Sequence, residues 1–268
     1  MMTLNRMMIR ALVLGILVLG LVACSPAADE AEIDMSAFGP DESEQAMAEV
    51  EIPEFGDIPD WRLADPEDLL LIETRHGVIT VELSDEFAPN HAARMRQAVR
   101  DGFFDGRDFY RVIDGFVAQG GRGEEADSVD LPQYPLLAGE FHRPTAGISF
   151  TAMIDEDLYA PVVGHVNGFP AAQSADGAET WLIHCPGTMA MARGNGPDTG
   201  DVEFYIVIGQ GPRHLDRIMS VFGRVIDGME HVQALHRGDP MVNSGVIADP
   251  DPVHAHRGRP ARGPAAGL

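Results

Sequence analysis

The sequence predicts a mainly β fold, a closed antiparallel barrel capped by two helices. Polar and apolar residues alternate over 69–84, which predicts a hairpin that turns near Arg75, His76 and Gly77. Short apolar segments bounded by turn residues then predict further strands at 109–113, 115–119, 146–152, 187–192, 203–208 and 219–225. Many strands, with one helical segment near each end of the folded region, are typical of a capped barrel.

The two predicted helices cover 88–104 and 228–236. In the first, Pro89 lies near the start and Gly102 near the end, as helix termini favour. The spacing of its apolar residues places one face toward the core, formed by Ala92, Met95, Ala98 and Val99.

Composition limits the possible partners and chemistry. The chain has 268 residues, of which 45% are hydrophobic, so it can bury a substantial core. Its formal net charge of −23 repels phosphate backbones and argues against nucleic-acid binding. The sequence contains no G-x-S-x-G, H-E-x-x-H, CxxC or P-loop motif. We therefore expect no metal and no cofactor.

The N-terminus has the composition of an export signal. Two arginines precede an apolar run from Ala11 to Ala23, which ends in the sequence LVAC at 21–24. This ending resembles the lipobox of bacterial lipoproteins and predicts a signal peptide over 1–23, with lipidation of Cys24. An uncleaved membrane anchor is the alternative. Ser25 after the cysteine favours the outer membrane, with the protein facing the periplasm, by resemblance to bacterial sorting rules.

The remaining chain divides into a tether, a folded domain and a tail. Residues 24–65 form an acidic segment, predicted to be a flexible tether. The domain is expected over 66–240, and 122–186 contains an extended insertion with its own hairpin. The Pro/Gly/Arg-rich segment 241–268 is predicted to be a loose tail. Its two histidines, His254 and His256, lack further ligands that would indicate a metal site.

The stretch FYRVIDGFVAQGG (109–121) is the most informative motif. Two apolar segments flank an Asp-Gly turn, which predicts a hairpin. Arg111 and Gln119 are polar residues within these apolar strands, which indicates a functional role for the arginine. Further motifs follow in order: GTMAMARG (187–194), VEFYIVIG (202–209), HLD (214–216) and VFGRVIDGME (221–230).

This series of motifs resembles the cyclophilins, a family of peptidyl-prolyl cis/trans isomerases, over roughly residues 70–236. The resemblance implies an eight-stranded cyclophilin-like barrel, with Arg111 as the catalytic residue. Glu203, Tyr205 and His214 occupy positions that the family usually fills with Gln, Phe and Trp. The substrate-binding residues that the resemblance implies are Phe116, Val117, Gln119, Ala192, Arg193, Glu203, Tyr205, His214 and Leu215.

The resemblance also implies the function. We expect an isomerase that rotates X-Pro bonds in envelope proteins and assists their folding, as a monomer attached to the membrane by its lipid anchor. A catalytically weak binding module, chaperone or scaffold is the alternative, because Glu203 and the insertion depart from the family pattern. Glu203 could either pair with Arg111 and orient it or compete with the substrate. A metal-binding lipoprotein is a third hypothesis, but the ten histidines of the chain lack the spacing of metal ligands.

Overall fold

The computed structural model describes residues 62–123, 133–154, 157–210 and 212–257. Cys24 lies outside the described residues, as does nearly all of the predicted tether. No helix in the described ranges is long and apolar enough to cross a membrane.

The helices are α1 (Pro89–Arg100) and α2 (Met229–Gln233). The strands are β1 (Leu69–Thr74), β2 (Gly77–Leu83), β3 (Arg107–Ile113), β4 (Val117–Gly120), β5 (Arg143–Pro144), β6 (Phe150–Ala152), β7 (Val162–Val166), β8 (Phe169–Gln173), β9 (Glu179–Leu182), β10 (Thr188–Arg193), β11 (Gly200–Val207), β12 (Val221–Asp227) and β13 (Val246–Arg257).

Eight strands form one curled antiparallel sheet in the order β1-β13-β3-β4-β11-β10-β12-β2. β2 pairs with β1 as well as with β12. The inward-facing side chains form a core with large aromatic residues, among them Phe104, Phe109, Phe204 and Phe222. The prediction of a mainly β fold with an eight-stranded sheet and two helices is confirmed.

Helix α1 buries the predicted apolar face against the curled sheet. Its N-cap residue, Ala88, makes no side-chain hydrogen bond. The Glu140 carboxylate supplies the acceptor instead, because it accepts the backbone N–H groups of Asn90 and His91 and contacts His91 Nδ1 at 2.6 Å. Burial opposes ionisation of Glu140, but these hydrogen bonds outweigh it and hold its pKa below the usual range. The insertion thereby caps a helix of the barrel.

The insertion forms a second sheet of five antiparallel strands in the order β5-β9-β8-β7-β6. Its central hairpin turns at Asn167 and Gly168, whose φ values of 50° and 79° suit a two-residue hairpin turn. The insertion was predicted to be a loop with one hairpin, so its extent was underestimated. The strand predicted at 146–152 is present only as β6 and belongs to this sheet.

The predicted loose tail is wrong for residues 246–257, which form β13 between β1 and β3. Pro250 and Pro252 weakened the strand pattern in the sequence. The strand tolerates Pro250 because its register with β3 shifts between Val246 and Asp251. Asp251 is buried there, forms an ion pair with Arg75 (Nε–Oδ1 2.5 Å) and accepts a hydrogen bond from the His236 N–H at 2.8 Å. The folded domain therefore extends beyond residue 240.

Candidate active site

The centre of the site is Arg111 on β3, directly opposite Gln119 on β4. Arg111 Nη1 donates to Gln119 Oε1 at 3.0 Å, and its Nε donates to the Ser244 carbonyl oxygen at 2.9 Å. Ser244 has a left-handed backbone conformation, with φ 55°, in the turn that leads into β13. No carboxylate of the described residues forms an ion pair with Arg111. Two neutral oxygens thus hold the guanidinium, and the positive charge is not neutralised by a direct partner.

Glu203 is connected to Arg111 through the side chains of Tyr110 and Gln119. Tyr110 OH donates to Glu203 Oε2 at 2.7 Å, and Gln119 Nε2 donates to the Tyr110 hydroxyl at 2.5 Å. Glu203 Oε1 accepts the Gly123 N–H at 2.9 Å. Because the amide nitrogen of Gln119 faces Tyr110 and Glu203, its carbonyl oxygen faces Arg111. Of the two alternatives that the sequence left open, direct pairing of Glu203 with the arginine is absent from the described contacts.

Burial raises the pKa of Glu203, against the opposing effect of the hydrogen bond from Tyr110. Burial also raises the pKa of Tyr110, and the neighbouring Glu203 carboxylate adds to this shift. The Tyr110 hydroxyl therefore remains protonated and serves as a donor at neutral pH.

The raised pKa of Glu203 predicts a specific pH dependence of stability. The folded state holds this proton more tightly than the unfolded state does, so the stability contribution of Glu203 falls as pH rises from about 4 through the raised pKa. Denaturant unfolding should show that the wild type loses stability relative to Glu203→Gln over this range. The exposed residue Glu230 supplies the control Glu230→Gln, which should show no such trend. A wild type that gains stability relative to Glu203→Gln with rising pH contradicts the prediction.

The apolar residues assigned to the pocket gather in one cluster, which includes Val117, two residues along β4 from Gln119. Val117 and Tyr205 are buried in a cluster against which Phe116, Ala192 and Leu215 pack, partly exposed. The exposed His214 ring stacks on Phe116 with 6.4 Å between ring centroids. Met219 also packs against this cluster and is partly buried. The structure therefore brings together the apolar residues that the sequence assigned to substrate binding.

Arg193, a predicted substrate-binding residue, is held by backbone carbonyl groups. Its Nε donates to the Ile218 carbonyl at 3.0 Å, and its Nη1 donates to the carbonyls of Gly194 and Gly196 at 3.0 and 3.1 Å. These bonds direct the guanidinium to the backbone of the loop after β10. Its side chain braces the loop at the edge of the site.

Sequence reasoning missed the group that anchors Tyr205. His184 Nε2 lies 2.8 Å from the Tyr205 hydroxyl, and His184 Nδ1 lies 2.8 Å from Asp216 Oδ1. Asp216 Oδ2 in turn accepts Arg213 Nε at 2.6 Å. Asp216 belongs to the HLD motif, but the sequence around His184 has no pattern that would indicate its contact with Tyr205. The cyclophilin family usually has Phe at the position of Tyr205. In this chain, His184 provides the hydrogen-bond partner for the additional hydroxyl group.

Comparison with known proteins decides the family. The family model described as "Cyclophilin type peptidyl-prolyl cis-trans isomerase/CLD" matches residues 69–255. The chain belongs to this family. The matched range includes most of β13, in agreement with the extended boundary of the domain. The activity of this cyclophilin is peptidyl-prolyl cis/trans isomerisation.

Several relatives are similar over most of their own lengths. A probable peptidyl-prolyl cis-trans isomerase of Brucella suis is 28% identical over 191 residues, which cover 71% of this chain and 82% of the relative. Peptidyl-prolyl cis-trans isomerase B of Bacillus subtilis is 31% identical over 163 residues, or 61% of this chain and 86% of the relative. The crystal structure of cyclophilin AquaCyp293 from Hirschia baltica matches with 34% identity and a TM-score of 0.63. That match covers 74% of this chain and 77% of the other.

In the part of the chain that the structure describes, no three His, Cys, Asp or Glu side chains are grouped to hold a metal ion. Cys185 is half-buried, and burial raises the pKa of its thiol. A reactive thiolate is therefore disfavoured at neutral pH. The arrangement offers a fixed cationic donor on β3, and an apolar cluster to which the neighbouring strand β4 contributes Val117.

Proposed function

We propose that this cyclophilin isomerises X-Pro bonds by donating a hydrogen bond from Arg111 to the prolyl nitrogen. The proline ring occupies the apolar pocket formed by Phe116, Tyr205 and Leu215. The observation that supports this mechanism is the guanidinium of Arg111, which two neutral oxygens hold opposite Gln119, on the strand that also supplies Val117 to the apolar cluster. A proline-containing polypeptide provides both a ring for the pocket and a nitrogen for the donor.

The physical basis is the amide resonance of the X-Pro bond. Resonance sets a rotation barrier of about 18–20 kcal/mol, and uncatalysed exchange takes tens to hundreds of seconds. As the bond twists, the lone pair localises on the prolyl nitrogen and becomes an acceptor. A guanidinium stays protonated and can donate to it, so the donor stabilises the twisted state more than either planar state. An acceleration of about 10⁵-fold requires only about 7 kcal/mol.

A peptidyl-prolyl exchange assay on the wild type and Arg111→Ala tests this mechanism. The mechanism is supported if the wild type catalyses exchange and Arg111→Ala does not. Equal catalysis by both proteins overturns it, and no catalysis by either one favours the binding-module alternative.

We also propose that the chain is an exported lipoprotein whose isomerase domain acts on envelope proteins and assists their folding. The LVAC sequence before Ser25 and the preceding apolar run support this proposal. Lipidation at Cys24 would attach the protein to the outer membrane, facing the periplasm.

Expression of the full chain in a bacterium tests the anchor. We expect mass spectrometry to find a mature protein that begins with a lipidated Cys24, in the membrane fraction. Cys24→Ser should retain the signal segment and lack the lipid. A wild type with an unmodified Cys24 contradicts the lipoprotein assignment, and retention of 1–23 would favour the uncleaved anchor.

A further inference from the structure

The connection between β6 and β7 carries an unusual amount of exposed apolar surface. Ile154 and Leu158 are 100% and 98% exposed, and Met153 and Tyr159 are also mostly exposed. We call these four residues the insertion tip. Single exposed apolar residues are common, but a local group of this kind marks an interaction site.

The insertion tip is attached to the pocket wall. Asp157 accepts the N–H groups of Tyr159 and Ala160 at 2.8 Å each, which fixes the turn after the tip. Arg213 forms an ion pair with Asp157, and its guanidinium lies over the Tyr159 ring, 5.5 Å from the centroid. Arg213 directly precedes His214 in the turn Pro212–Leu215. One arginine therefore connects the tip to the segment that supplies two predicted pocket residues.

The body of the inserted sheet is part of the same apolar cluster as the pocket. Val166, Phe169 and Leu182 from the sheet are buried together with Val117 and Tyr205 from the barrel. The inserted sheet is thus packed into the same cluster as the predicted pocket residues, while its tip remains exposed to solvent. The tip is positioned by two independent contacts, the shared core and the Arg213 ion pair.

We propose that the insertion tip binds apolar side chains of the polypeptide whose proline occupies the pocket. The ligand is an extended, unfolded client chain with aliphatic or aromatic residues at a distance from the proline. This inference rests on the proposed function, and continuity of the tip with the pocket wall supports it. The net charge of −23 disfavours acidic clients. Short peptides fill the pocket alone, so the tip favours long unfolded substrates.

The test compares two substrates and one binding reaction. The tip variant Ile154→Ser/Leu158→Ser is matched by Leu63→Ser/Leu136→Ser, which changes leucines that are 80% and 61% exposed outside the inserted sheet and the pocket. The substrates are an Ala-Pro tetrapeptide and an unfolded protein whose refolding is limited by one X-Pro bond. Binding is measured by fluorescence anisotropy, with a labelled, permanently unfolded alkylated protein that contains proline.

We expect the ratio of refolding kcat/KM to tetrapeptide kcat/KM to fall about fivefold in the tip variant. Its Kd for the alkylated protein should rise by about tenfold. The control should keep the wild-type ratio and Kd. An unchanged Kd in the tip variant, or an equal loss in the control, overturns the proposal. If the wild type fails on the tetrapeptide, the proposed mechanism fails, and the anisotropy measurement still decides whether the tip binds.

Discussion

Replacing Arg111 with alanine is expected to lower kcat/KM for X-Pro exchange by about 10²–10³-fold, the usual cost of removing one donor aimed at a transition-state charge. The substitution removes the donor but leaves the apolar cluster of the pocket in place. The loss should therefore appear mainly in kcat. Exchange spectroscopy by NMR on a proline peptide measures the rate directly and needs no coupled protease.

Two further variants show whether the arginine acts through its geometry. Arg111→Lys keeps the charge but cannot reach Gln119 and Ser244 with the same planar fork, so its rate should be intermediate. Arg100→Ala removes a cation from the end of α1, outside the site, and should match the wild type. If Arg111→Ala retains more than about a third of the wild-type rate, another group stabilises the twisted bond.

The second large effect concerns β13. A chain that ends at Asp239 is expected to lose cooperative unfolding, because β1 and β3 both lose the strand between them. The buried side chains of Ile247 and Val253 contribute about 1.5–3 kcal/mol each. The lost backbone hydrogen bonds add about 0.5–1.5 kcal/mol each. Together these losses are comparable to a total stability of about 5–15 kcal/mol.

A chain that ends at Arg257 is the matched control, since it retains the whole of β13. Urea unfolding followed by circular dichroism should show one cooperative transition for this control and none for the shorter chain. The shorter chain also lacks Ser244, and with it one of the two oxygens that hold Arg111. Cooperative unfolding of the shorter chain would show that the domain does end near residue 240.

Local patterns in the sequence predicted the parts of the fold that depend on neighbouring residues. The β1–β2 hairpin, α1 and the β3–β4 hairpin each have short-range signals, namely alternation, a helical apolar face and an Asp-Gly turn. The same turn sets the register that places Arg111 opposite Gln119. This part of the site could therefore be predicted from one short motif.

Features that depend on residues far apart in the sequence could not be predicted. Ser244 contributes a backbone carbonyl, and a backbone group leaves no residue type to recognise. The role of Glu203 depends on how β3, β4 and β11 align, because Tyr110 and Gln119 both lie between it and Arg111. In the insertion, strands of two to five residues give too few alternations to be separated from loops.

The most direct test of the proposed mechanism is the cis/trans exchange rate of a proline peptide in the presence of catalytic amounts of the wild-type chain. If Arg111 donates to the prolyl nitrogen as proposed, exchange should be far faster than the uncatalysed tens to hundreds of seconds, and it should return toward that rate in Arg111→Ala. Exchange by the wild type that stays at the uncatalysed rate, with the protein folded, would contradict it.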